Sequence, residues 1–456
     1  MSIIVKLSDF LWGWPLLIVI LVTATVLTIC TGAIQFRRFR FMLKTTFGSI
    51  LKKEEKEKGE GVMSPLKLVL AAMAGTIGTG NIAGVGLAIG IGGPGAIFWL
   101  WVAALFSMVC KYSEIVLGVK YREFDQETGE YKSGPMYYIR KGLGSRWAWL
   151  AMIYALLFGI GYFVMGFVQS NTIAAAMKTI VGVDPVFTGI ALVVLLALVV
   201  FGGLKSLVKV SDVLVPIMTV VYFTAAIVVV FLNVTKLPGV LSLVVSSAFS
   251  GSAAIGGFVG ATVILSMRQG FARAVYSNDG GVGLGAIIHG QAITTHPAKQ
   301  GMWGIFEVFV DTIIVCTATA LVIMFTGVYD SGLKGLELTS MAFSVGLPGQ
   351  WLGKAIVCIS VILFGYTTAI NNNFLFQRGM FYVFEKSNKK IITIVCGLLS
   401  LGGAMVGAMG GLEVIWGLSD FFLAIVILIN VPVVLALSGE VRELTKEYFG
   451  NGQHRK

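Results

Sequence analysis

The chain has 456 residues, of which 56% are hydrophobic and 12% charged, whereas soluble globular proteins carry roughly 25% charged residues. Its mean hydropathy of +0.88 and its repeated uncharged runs of about 20 residues, the length that crosses a bilayer, exclude a soluble globular protein. The net charge of +11 sits mostly between the apolar runs, a pattern of membrane topology and not of nucleic-acid binding.

Eleven apolar runs are predicted as transmembrane helices, at 11–35, 66–92, 95–120, 147–181, 186–203, 211–233, 253–288, 304–328, 351–376, 390–409 and 411–437. The first is too long for a signal-peptide core and shows no small-x-small cleavage site, so a retained helix is expected. The mixed-charge stretch "LKKEEKEKGEG" at 51–61 reads as a solvated connector. The segment 122–147 is the longest polar connector, with a surface-lying helix expected at 135–143. The five cysteines are scattered without a CxxC pair and read as small packing residues.

The second run holds "GTIGTGNIAGVGLAIGIGGPG", Gly75 to Gly95, with nine glycines in 21 residues. Each glycine in a helix interior costs about 1 kcal/mol relative to alanine. Small-xxx-small spacing such as Gly80 to Gly84 serves close helix packing, but the density here also suits a broken helix. The stretch has no GxxxxGK[ST] phosphate loop. In the seventh run Tyr276-Ser277-Asn278-Asp279-Gly280-Gly281 interrupts the apolar pattern completely. Packing alone does not account for a buried Asn278 and Asp279. Broken backbone at membrane depth is tolerated only where protein or a water-filled cavity surrounds it.

Charge sets the orientation. With the N-terminus outside, 26 of the 34 Lys and Arg residues fall in the cytoplasmic segments 36–65, 111–148, 203–211, 289–303, 377–391 and 438–456. Five fall outside (Lys6, Lys178, Lys236, Lys334 and Lys354), and Lys67, Arg268 and Arg273 lie at or within spans. This predicts a multi-pass cell-membrane protein with the N-terminus outside and the C-terminus in the cytoplasm. Runs two to six and seven to eleven then form two sets of five with inverted topology, each opening on its broken helix. Paired interruptions of this kind point to a secondary-transporter binding site. Half-helix N-termini present positive dipole to an anion and freed carbonyls suit a cation, so a zwitterionic amino acid with Na⁺ fits both ends.

The stretch "GTIGTGNIAGVGLAIGIGGPGAIFWLW" closely resembles the signature of the alanine/glycine:cation symporters, the sodium:alanine symporter family. So do "KYREFDQETGEYKSGPMYYIRKGLG", "GGLKSLVKVSDVLVPIM" and "HPAKQGMWGIFEVFVDTIIVCTATALVI", in order, from about residue 60 to 440. The resemblance implies an all-α polytopic fold of 11 transmembrane helices, a LeuT-type 5+5 inverted repeat plus one extra N-terminal helix. Its parts would be the extra helix in 1–35, a cytoplasmic loop in 36–65, repeats at 66–233 and 234–437, and a cytoplasmic tail at 438–456.

The resemblance also implies roles for residues. Thr76, Thr79, Gly80 and Asn81 on the first broken helix, Gln169 in "GFVQSNT", and Tyr276, Ser277, Asn278 and Asp279 match substrate positions. Carbonyls near Ala74 and Ile77 would join the hydroxyls of Thr367 and Thr368 in holding Na⁺; the alternative for such threonines is back-bonding to an i−4 carbonyl. Two departures border the site. Asp279 stands where the family usually has a glutamate, and Asn371-Asn372-Asn373 replace an aromatic-rich stretch, which opens a polar or larger amino acid as substrate.

The function expected is symport of a small neutral amino acid with Na⁺ as coupling ion, without organic cofactor or obligate protein partner. The alternatives are H⁺ coupling or another amino-acid specificity. A channel would need a continuous polar pore; an intramembrane enzyme would need a motif such as Gly-x-Ser-x-Gly or HExxH, and neither stands out. Glu114, Arg268, Arg273, Glu307, Asp311 and Asp420 lie within runs and are expected to pair or face cavities in structural roles. His289 and His296, seven apart with no carboxylate between them, lack a metal-site pattern.

Overall fold

The computed structural model describes residues 3–51, 59–250 and 263–450. Most of the mixed-charge stretch (52–58), the opening of the seventh run (251–262) and the end of the tail (451–456) lie outside the described residues. The described residues are mostly helical, with a small antiparallel hairpin in which Glu123–Asp125 pairs with Glu130–Lys132.

Among the described residues eight helical stretches are long and apolar enough to cross a membrane, and Pro65–Thr76 with Thr79–Gly92, bent by 60°, makes a ninth. The expected eleven is not shown, and two further spans would be needed to make it. The stretch Pro185–Leu232 has 48 residues, about 72 Å of helix at 1.5 Å per residue, against an apolar layer of about 30 Å. It is interrupted at 198–202, before Gly203 with φ 59°. Val263–Asn278 with Leu284–His289 would supply the other span.

Local chemistry sets many of the ends. Pro65, Pro135, Pro185 and Pro297 open helices at the first position, where the missing N–H costs nothing. Gly93, Gly182 and Gly327 close others with φ of 72°, 82° and 75°. Large apolar side chains such as Phe187, Leu198 and Phe231 face outward, 69%, 78% and 74% exposed, as a lipid-facing surface requires.

Two expected loops differ. Segment 36–65 carries a helix at Phe39–Leu51, and 203–211 is the first part of helix Gly203–Leu232. There Lys205 and Lys209 stand four residues apart on one helix face, so the charges do not end the helix. The expected surface helix forms at Pro135–Gly142, but Pro135 to Ile139 are buried in the protein.

The charge-rich segments collect at one end. Met63 and Glu60 bridge to Ala292 and Thr294, and Arg122 holds the carbonyls of Glu60, Gly290 and Ala292. Lys120 pairs with Glu440, Arg378 with Glu130, and Lys389 with Asp125. Burial raises the Asp125 carboxyl, but hydrogen bonds from Lys389 and the Glu127 N–H outweigh it and hold the group below its ordinary range.

Candidate functional site

The first broken helix loses its ladder where glycine replaces side chain. The Gly78 N–H, which would close the last helical turn on Ala74, donates instead to Asn81 Oδ1 at 2.9 Å. The Asn81 N–H turns to the Gly78 carbonyl, which leaves the Ile77 carbonyl without its i+4 partner. The freed Ala74 carbonyl accepts from Thr368 Oγ1 at 3.0 Å. Close approach explains Gly78, because a Cβ there would lie 2.7 Å from Thr368 Oγ1. Thr367, in contrast, back-bonds to Leu363 and Phe364 at 3.1 and 3.0 Å.

The second break is satisfied by side chains from its neighbours. Asp279 adopts φ 52°, a left-handed conformation that aspartate tolerates better than most residues, and Gly281 and Gly283 follow at 93° and 104°. Lys111 Nζ donates to the Asn278 carbonyl at 2.7 Å, Asn430 Nδ2 to that of Gly281 at 2.9 Å, and Tyr154 OH to that of Val282 at 2.6 Å. Asn278 Oδ1 accepts the Gly280 N–H at 2.9 Å. Asp279 accepts from Tyr162 OH through Oδ2 at 3.1 Å, while its buried Oδ1 has no partner.

The two breaks meet at Asp311. It lies in a π-helical stretch, Phe309–Cys316, a distortion common at functional sites. Asn81 Nδ2 donates to Asp311 Oδ1 at 2.7 Å, and Ser277 and Thr312 hydroxyls to Oδ2 at 2.6 and 2.7 Å. Asn81 Nδ2 also reaches Ser277 Oγ at 2.9 Å, so the two broken helices touch directly. Gln169 Oε1 accepts from Thr79 Oγ1 at 2.9 Å.

A cavity of about 630 Å³ reaches this region from the end opposite the charged segments, lined in part by Asp9, Arg268, Arg273, Lys334, Trp416 and Asp420. The Tyr276 ring stacks on the lining residue Trp416, with centroids 5.0 Å apart, and packs against Gly80, whose Cβ would lie 2.9 Å from the ring. The Arg273 guanidinium lies 5.5 and 5.2 Å from those two rings and pairs with Asp420, whose carbonyl accepts from Trp12. Arg273, Trp416 and Asp420 of this layer line the cavity, as does Ala83 at the start of the second half-helix.

The structure thus brings Ala74, Thr76, Thr79, Gly80, Asn81, Gln169, Tyr276, Ser277, Asn278, Asp279 and Thr368 around the two breaks, directly or through one shared partner. Two of the asparagines beside the site bond to neighbouring backbone: Asn371 donates to the Ala71 carbonyl and Asn373 to the Val200 carbonyl. Asn371 Oδ1 is buried without a partner beside Gly75. Lys111, expected at the start of a cytoplasmic segment, is instead fully buried beside Glu307 at 2.6 Å. The pairing expected of the other intramembrane charges is met by Arg268 with Asp9 and Arg273 with Asp420, while Glu114 accepts from Asn430.

A profile described as the sodium:alanine symporter family matches residues 1–456. The chain belongs to the sodium:alanine symporter family. It is 38% identical over 453 residues, 98% of this chain and 93% of the other, to the uncharacterized transporter YflA of Bacillus subtilis. It is 34% identical over 460 residues (98% and 97%) to the sodium/alanine symporter AgcS of Methanococcus maripaludis. To the probable sodium/glutamine symporter GlnT of Bacillus subtilis it is 32% identical over 444 residues (97% and 89%). Among solved structures it is similar to MhsT in complex with L-phenylalanine, with a TM-score of 0.52 at 16% identity over 86% of this chain and 90% of that one. The substrate-bound outward-open state of a Na⁺-coupled sialic acid symporter gives 0.53 at 11% identity, over 95% and 98%. The fold is therefore of the LeuT type, and this member of the family is a multi-pass membrane protein of a transporter family.

Proposed function

We propose that the chain imports a small neutral amino acid, alanine- or glycine-like, together with Na⁺ by alternating access. The observation that carries this reading is the Thr368 hydroxyl at 3.0 Å from the Ala74 carbonyl. It joins a helix from each half of the chain at a point where the backbone has been freed. Na⁺ takes hard oxygen ligands, and Ala74, Ile77, Thr367 and Thr368 supply them. Rotation of the Thr367 hydroxyl away from its own helix would complete the set.

The amino acid lies between the breaks. Its carboxylate meets the N-terminal end of Ala83–Gly92, where the helix dipole is positive, with Thr76, Thr79, Gly80, Asn81 and Gln169 around it. Its amine meets the carbonyl end of Val263–Asn278 and the carboxylate of Asp279. Tyr276, Ser277 and Asn278 close the pocket. The two halves, 66–233 and 234–437, act as inverted repeats that rock about this centre. The cavity is the outer entrance and Tyr276, Trp416, Arg273 and Asp420 its closing layer, with the N-terminus outside and the charge-rich end in the cytoplasm.

One feature favours a second reading, a larger polar substrate such as glutamine. Asp279 is a methylene shorter than the glutamate usual in the family signature, which leaves more room. Titration calorimetry of the purified protein in detergent, with a panel of neutral amino acids in NaCl and in choline chloride, tests both readings. Alanine or glycine is expected to bind in NaCl and at least about tenfold more weakly in choline, a loss of about 1.4 kcal/mol. Binding of glutamine alone would select the second reading. Binding indifferent to Na⁺, or none, would overturn both.

A further inference from the structure

One buried cation has no task in the reading above. Lys111 lies within helix Gly95–Lys120, and neither its side chain nor that of Glu307 is exposed. Its ammonium donates to Glu307 Oε1 at 2.6 Å and to the Asn278 carbonyl at 2.7 Å. Asn278 ends Val263–Asn278, so this carbonyl has lost its helical partner to the break and carries the negative end of the helix dipole. The same Glu307 oxygen accepts from Thr76 Oγ1 at 3.3 Å, and Thr76 ends the leading half of the first broken helix. The ammonium thus stands between the two breaks.

The space for it is built. Gly285 and Gly304 lie against Lys111 and its neighbour Ile115: a Cβ on Gly285 would lie 3.3 Å from Lys111 Cε, and one on Gly304 2.6 Å from Ile115 Cδ1. A carboxylate, a freed carbonyl and a hydroxyl are the hard oxygens that a free alkali cation would take. The far side of Glu307 is closed by His289 Nε2 at 3.3 Å, and His289 in turn by Gln300 at 2.9 Å. A carboxylate at this depth is too costly to leave unpaired, and Lys111 is what pairs it.

We propose that Lys111 is a tethered cation of the transport site. Its ammonium occupies a cation position between the breaks, so that transport loads a single free Na⁺, at Ala74, Ile77, Thr367 and Thr368. This rests on the reading of the chain as a Na⁺-coupled symporter. With a neutral substrate, one Na⁺ moves one charge per molecule. Replacing Lys111 with alanine removes the tethered charge and leaves Glu307, the Asn278 carbonyl and Thr76 to a second Na⁺. Arginine keeps the charge.

The test is the reversal potential of substrate-driven current in sealed proteoliposomes holding the full chain, with known gradients of Na⁺ and a neutral amino acid. The result expected is one charge per substrate. A ratio of two would overturn the proposal and transfer the second cation to the carboxylate of Asp311. In uptake assays Lys111→Ala is expected to raise the Na⁺ Hill coefficient from about 1 towards about 2, while Lys111→Arg stays near about 1. Uptake by Lys111→Ala with an unchanged coefficient would overturn it as well. Should that variant fail to fold, the wild-type ratio decides alone. Absence of any Na⁺-driven current defeats the symport reading itself, a result distinct from a ratio of two.

Discussion

Thr367 and Thr368 are adjacent in sequence and unequal in structure. Thr368 bridges to the Ala74 carbonyl, whereas Thr367 is tied to its own helix. Thr368→Ala is therefore expected to raise the half-saturating Na⁺ concentration by about tenfold or more, the worth of one hydrogen bond or ligand contact to a charged group. Thr367→Ala has a smaller effect, and the double variant loses Na⁺ stimulation. Uptake measured against Na⁺ concentration separates the three, and retained sodium dependence in the double variant would refute the assignment. Gln169→Ala removes the acceptor of Thr79 Oγ1 and is expected to raise the substrate KM about tenfold with the Na⁺ response unchanged; an equal change in both would assign Gln169 to general packing. Asn278 and Asp279, costly to bury without a task, were legible from residue type, and Asn81 and Gln169 through the family resemblance. Lys111 was not, because a lysine near the polar end of an apolar run reads as the start of a loop, and only the fold shows that helix packed against Pro297–Val308.

The broken helices were the most legible elements, since glycine density and the Tyr276–Gly281 interruption carry their own physical cause. Their side-chain partners Asn430 and Tyr154 came from runs with no local signal, and Asp311 was expected only to pair or face a cavity; the π-helical turn that carries it depends on packing that periodicity does not encode. The helical start of Gly203–Leu232 was hidden by two lysines that share a face with solvent or headgroups. Gly78 gives a test at this scale. A Cβ there would lie 2.7 Å from Thr368 Oγ1, and such overpacking costs about 1–3 kcal/mol. Gly78→Ala is expected to remain folded, as judged by size-exclusion profile and thermal unfolding, yet to lose Na⁺-stimulated uptake. A normal Na⁺ response would show that the backbone at Gly78 is free of the cation site.

For the whole molecule, charge asymmetry anticipated that the segments 111–148, 289–303, 377–391 and 438–456 share one end; salt bridges join 120–132, 378–389 and Glu440, and Arg122 ties Gly290 and Ala292 to them, while Lys111 is buried elsewhere. In the proposed transport cycle the layer of Tyr276, Trp416, Arg273 and Asp420 is what closes the opposite path. Asp420→Asn weakens its ion pair and is expected to speed release of bound substrate by about tenfold, read as the dissociation rate of labelled amino acid; an unchanged rate would place the closing layer elsewhere. The central claim is that the two breaks form one site for an amino acid and Na⁺ in a moving transporter. The most direct measurement is uptake of labelled alanine and glycine into proteoliposomes under an inward Na⁺ gradient, with K⁺ replacing Na⁺ as the control. The account predicts accumulation above the external concentration that collapses when the Na⁺ gradient is dissipated. Equal uptake with and without the gradient, or no uptake of any amino acid, would contradict it.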